Sequence, residues 1–118
     1  MIKSELKICN LDYLYDLSKG DMGFVREMID VFLAENSGEL DNLERKIKDG
    51  DFSQIKQIAH KLRSSIPYVG LDSKIGNEIA EIEELGRQEK DLKKIQTLFK
   101  KVRTVSNDAI AELKNLKV

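Results

Sequence analysis

The 118-residue chain has one cysteine, one proline, one histidine and no tryptophan. A lone cysteine, Cys9, excludes an internal disulfide and fits a reducing, cytoplasmic setting. A single histidine excludes any metal site or catalytic triad that needs two. No apolar run approaches the roughly 20 residues that span a bilayer. The opening MIKSELKICNLDYLYD has no long apolar block followed by small residues, which argues against a secretory signal. Neither charge sign dominates: 20 basic and 21 acidic residues give a net charge of −1. Binding to a nucleic-acid backbone is therefore not expected as the main activity.

What is present is amphipathic: 41% hydrophobic and 35% charged residues, with only seven glycines, over a length that suits one domain, 1–118. Leu11, Leu14 and Leu17 share one side of a short helix from about Asn10 to Ser18. Gly20 ends that helix, and Asp21 suits the N-cap of the next. Val25, Ile29, Phe32, Asn36, Leu40, Leu43 and Ile47 then recur at spacings of three and four, one helical stripe over about seven turns. Asn36-Ser37-Gly38 weakens its middle and predicts a bend. Gly50 closes this helix and Asp51 caps the third, whose apolar face is Phe52, Ile55, Ala59, Leu62 and Ile66.

Pro67 and Gly70 break the third helix. Asp72 or Ser73 is expected to cap the fourth, with Ile75, Ile79 and Ile82 as its stripe and Gly86 as its stop. A last helix starts near Asp91 and carries Leu92, Ile95, Phe99, Val102, Ser106, Ala109, Leu113 and Leu116. The 3.5-residue period suits shallow-angle packing. Nothing shows sustained period-two alternation. The expected fold is all-α: an antiparallel four-helix bundle with a short extra N-terminal helix.

With Phe52 at zero on a wheel of 100° per residue, the third helix's apolar residues cluster at roughly 300–360° and His60 falls near about 80°. The imidazole is thus expected in solvent, with Lys56, Gln57, Arg63 and Ser64 one turn away. Near neutral pH an ordinary imidazole is mostly uncharged and nucleophilic. Guanidinium and ammonium neighbours would stabilise a phosphoryl group attached to it, and small Ser64 leaves room for a partner. No nucleotide-cradling glycine loop or nucleophile–base pair is visible, so an enzyme is not expected. A solvent-facing histidine is ordinarily just a surface residue, and a structural or protein-binding helical adaptor is the alternative.

Ala59-His60-Lys61-Leu62-Arg63, with Gly70 ten residues after the histidine, resembles the signature of histidine-containing phosphotransfer (HPt) domains, usually Ala-His-x-Leu-Lys-Gly with a glycine at that distance. Gly50-Asp51 matches the family's usual entry to the motif helix. Lys19-Gly20-Asp21, followed by FVREMIDVFL, looks like the start of its long second helix. The resemblance runs from about Leu11 to Leu116. Ser64 departs from the family's glycine, Pro67 is unusual, and Lys74-Ile75 stands one residue out of step with the fourth-helix pattern.

This resemblance implies that His60 is the phosphorylated residue and that Arg63, in place of the usual lysine, pairs with the phosphoryl group. Lys56, Gln57, Ser64 and Gly70 are then site-adjacent, and Glu83 or Gln57 is the polar partner of His60. It implies a two-component phosphorelay intermediate without kinase activity, exchanging phosphate with response-regulator receiver domains and a hybrid sensor histidine kinase. No cofactor is implied for this chain, since the Mg²⁺ sits in the receiver. Receivers would dock over His60 and a surface including Tyr15, Met22 and Phe24, although Met22 and Phe24 could equally close the core. A monomer is expected.

Overall fold

A computed structural model of the chain describes residues 6–116. Five α-helices follow in order: α1 (Asp12–Ser18), α2 (Met22–Asp49), α3 (Phe52–Ser65), α4 (Asp72–Gln88) and α5 (Leu92–Lys114). A 3₁₀ turn, Ile66–Val69, joins α3 to α4. No strand occurs among the described residues. Packing runs α2 to α3, α3 to α4, α4 to α5 and back from α5 to α2, while α1 rests on α2 and the 3₁₀ turn. Lys94–Glu81 and Lys101–Glu78 pair across α4 and α5 in opposite chain directions, so these helices are antiparallel. The expected all-α bundle with a short leading helix is what forms.

All seven residues of the α2 stripe are buried. Asp21 accepts from the Phe24 N–H and so satisfies one of the free donors at the start of α2. Gly50, at φ 68°, closes the far end in the left-handed conformation that glycine adopts without strain. Asp51 and Asp91 cap α3 and α5 in the same manner, accepting from Gln54 and Lys94.

Helix α2 is continuous through Asn36-Ser37-Gly38. Four local expectations change. Leu17 is exposed, and Ser18 takes the buried place at the end of α1. Ile58 joins the α3 core, while Phe52 is only half-buried. Neither Asp72 nor Ser73 caps α4: Leu71 holds the N-cap position without a side-chain bond, and the Ser73 hydroxyl donates to the Gly70 carbonyl. Gly86 does not stop α4, which ends at Gln88 with Glu89 in the left-handed conformation. The physical reason for Gly86 is contact. A Cβ there would lie 3.1 Å from the Lys56 nitrogen and 3.2 Å from the Phe52 carbonyl oxygen, so the glycine lets the α4 and α3 backbones approach.

The amino-terminal segment is fastened to α5. Glu112 accepts from the backbone N–H groups of Lys7 (2.7 Å), Ile8 (3.1 Å) and Cys9 (2.8 Å). Burial raises the carboxyl's affinity for protons, but these hydrogen bonds outweigh it and hold Glu112 below the usual carboxylate range. Cys9 is buried beside it. Desolvation first, then the charge and hydrogen bonding of Glu112, push the thiol up to about 12.

Candidate functional site

The α3 stripe turns Ile55, Ile58, Ala59 and Leu62 into the core, which leaves His60 on the outer flank of the bundle. Its side chain is 61% exposed, as the wheel predicts. Helix α4 runs antiparallel alongside and brings Glu83 to the ring, with Oε2 3.0 Å from Nδ1. A carboxylate can only accept, so this bond requires the proton on Nδ1 and leaves the Nε2 lone pair free. The second Glu83 oxygen, Oε1, lies 3.1 Å from Arg63 Nε, an ion pair rather than an aligned hydrogen bond. One carboxylate therefore joins the histidine and the arginine. Of the two candidate partners of His60, Glu83 takes the role, and Gln57 is exposed.

Lys61, although next to His60 in sequence, reaches across to α2 and pairs with Glu39 at 3.4 Å. Lys56 is half-buried where α3 meets α4. Ser64 follows His60 by one turn, and its hydroxyl donates to the His60 carbonyl, 3.1 Å away. The extra oxygen is thereby turned onto the helix backbone. Gly70 belongs elsewhere. It sits at φ 75° after the 3₁₀ turn, where a Cβ would come within 2.6–2.8 Å of Asn10, so its part is to let the chain pass the amino-terminal segment.

Between α2 and α3, beside the imidazole, runs a groove of about 640 Å³, lined in part by His60, Lys61, Ser64, Asn36, Gly38 and Glu39. Asn36 is 3% exposed, and its Oδ1 has no hydrogen-bond partner among the described residues. An unpaired buried acceptor costs about 1–3 kcal/mol. The signal was present in the sequence as an amide on an otherwise apolar stripe.

Met22 and Phe24 are exposed at 39% and 36%, while Tyr15 is half-buried against the core. At 100° per residue, Phe24, Val31, Glu35 and Asn42 fall within about 40° of one another, and Met22 lies about 160° round from Phe24. Glu35 and Asn42 line the His60 groove, so Phe24 and exposed Val31 share its flank. Val31 went unnoticed because an apolar residue one position off a buried stripe carries no sign of its own.

The family model of the Hpt domain matches residues 27–116. The chain belongs to the Hpt family. The match takes in most of α2 and all of α3, α4 and α5, including the His60–Glu83–Arg63 cluster. Hpt domains are histidine phosphotransfer modules of phosphorelays, carriers rather than kinases. No curated protein and no solved structure matches this Hpt chain. Among its described residues no helix is long and apolar enough to cross a membrane.

Proposed function

We propose that this Hpt domain is a phosphorelay intermediate in which His60 carries the phosphoryl group between receiver-domain aspartates. The observation that carries the proposal is the hydrogen bond from His60 Nδ1 to Glu83, which leaves Nε2 as a nucleophile on an exposed flank. Nε2 attacks the phosphorus of an aspartyl phosphate. The N–P bond forms, the acyl-phosphate P–O bond breaks, and the aspartate leaves as a carboxylate. The proton on Nδ1 stays in place, and the positive charge gained by the ring is stabilised by Glu83. Arg63 is held within reach, and its guanidinium offers paired donors to the phosphoryl oxygens.

The partners are receiver domains and a hybrid sensor histidine kinase, with a cytoplasmic location and a monomeric Hpt domain. Exposed Phe24 and Val31 contribute apolar contact on the His60 flank. The domain supplies no cofactor: Mg²⁺ for the transfer belongs to the receiver.

The test is incubation with a phosphorylated receiver and Mg²⁺, scoring acid-labile, base-stable phosphate. The native domain is expected to take label and His60→Gln to take none while keeping its helical circular dichroism. Label surviving in His60→Gln would reject the site. A domain that binds receivers yet never takes label would be an adaptor instead.

A further inference from the structure

Helix α5 carries two rows of lysines with different surroundings. Lys94 and Lys101 each meet a glutamate of α4, Glu81 and Glu78, at 2.6 Å. Lys93 and Lys100, each one position earlier, line the groove between α5 and α2 instead. Neither has an ion-pair partner among the described residues. The α2 wall of that groove, about 710 Å³ in volume, adds a third cation, Lys48. All three lysines are exposed.

Glu44 is the one acid among the lining residues, and it is shared, with Lys48 Nζ and Arg103 Nε each 3.8 Å away. Arg103 is also held by Asp41 at 2.5 Å. Four cations thus line the groove against a single carboxylate. The α4–α5 seam is matched in charge, and this end of the α2–α5 seam is not.

The excess charge selects what enters. From Lys93 to Arg103 the α5 wall rises about 15 Å, so an occupant that meets all of the cations is elongated and bears several negative charges. None of the exposed large hydrophobic residues lies on this groove, which leaves nothing to insert into a lipid surface. Its one aromatic, Phe99, is buried and offers no platform for stacking a base. A stretch of polypeptide fits, because about ten helical or four to five extended residues span the wall.

We propose that the α2–α5 groove is a docking surface for an acidic polypeptide segment, whose carboxylates pair with Lys48, Lys93 and Lys100. Packing runs in a ring from α2 through α3 and α4 to α5, so this surface lies across the bundle from the His60–Glu83 contact. It is a second binding face, independent of the relay reading. A partner held there leaves the imidazole open.

The experiment is a ¹H–¹⁵N NMR titration of the 118-residue protein with the amidated peptide Glu-Glu-Leu-Glu-Glu-Leu-Glu-Glu. Its glutamine-for-glutamate analogue, tripolyphosphate and phosphatidylglycerol vesicles run alongside. Saturable shifts are expected at Lys48, Lys93, Thr97 and Lys100 with the acidic peptide. Affinity should fall about tenfold or more in Lys93→Glu/Lys100→Glu. Lys93→Gln/Lys100→Gln, which removes the charge without reversing it, gives the same comparison should the first variant lose its helical circular dichroism. Absence of saturation, shifts centred on His60, undiminished binding by the variants, or equal binding of the glutamine peptide would overturn the proposal. Tighter binding of tripolyphosphate or of vesicles would overturn it in favour of a small-anion or a lipid site. Both double variants should take label on His60 at the native rate, and slower labelling would overturn the separation of the two faces. His60→Gln should bind the peptide as the native domain does, so failure of the transfer reading leaves this titration standing.

Discussion

His60 Nδ1 and Glu83 Oε2 lie 3.0 Å apart although 23 residues of sequence separate them. The contact depends on the close α3–α4 approach that Gly86 permits one turn beyond Glu83. It fixes the imidazole tautomer and holds Arg63 by the same carboxylate.

Glu83→Gln should therefore slow phosphoryl transfer about ten- to a hundredfold, the range seen when a histidine loses its orienting partner at metal sites. Stability should move little, because His60 and Arg63 are largely exposed. Single-turnover transfer rates and thermal melts check this together. A variant that transfers at the native rate would show that the carboxylate does not orient the ring.

Arg63→Ala is expected to shorten the lifetime of phosphohistidine, with a stability change of less than about 1 kcal/mol. Arg63→Lys should restore only part of the lifetime, since it keeps the charge and loses the planar fork. Label-decay curves at fixed pH make the comparison. Unfolding of the alanine variant would mean that Arg63 supports the bundle.

Two glycines in helices should respond oppositely to alanine. Gly86→Ala places a methyl against the α3 backbone and should destabilise by about 1–3 kcal/mol. Gly38→Ala meets open space and should stabilise by roughly 0.5–1 kcal/mol. Urea denaturation gives both values. A Gly86→Ala variant as stable as the native protein, or more so, would contradict the packing described for Gly86.

Glu112 has a depressed carboxyl pKa, so its contribution is fully present above the ordinary value of 4.5 and lost as pH falls through the lower, folded value. Amide-exchange protection at Lys7, Ile8 and Cys9 should fall over that acidic interval. In Glu112→Gln it should be weak at every pH. Undiminished protection in that variant would place the anchor elsewhere.

Cys9, buried and with a thiol pushed up to about 12, should resist a maleimide or disulfide reagent at pH 8. It should react at the full rate of a free thiol only in denaturant. Glu112→Gln should speed labelling, by removing both the nearby charge and the tether. Rapid labelling of the native protein would show that the amino-terminal segment opens freely.

The sequence made some of this plain. Period-3.6 patterning identified the entire buried face of α2 and put His60 off the α3 stripe, because both follow from local helical geometry. The cap residues Asp21 and Asp51 were equally legible, since a capping side chain acts within three residues. What escaped was non-local. Gly86 looks like a helix stop until α3 is laid against it, and Leu17 looks like core until α1 settles. That Glu83 also holds Arg63 emerges only once two helices pair. Asn36 carried a visible anomaly, a polar residue on an apolar stripe, and it is buried there all the same.

The knot of hydrogen bonds between Glu112 and the amino-terminal segment gathers residues 7–9 and the end of α5 at one pole, whereas His60 faces outward from the middle of α3. Loss of those hydrogen bonds would therefore loosen the pole where α5 ends and leave the imidazole's own contacts on α3 and α4 in place.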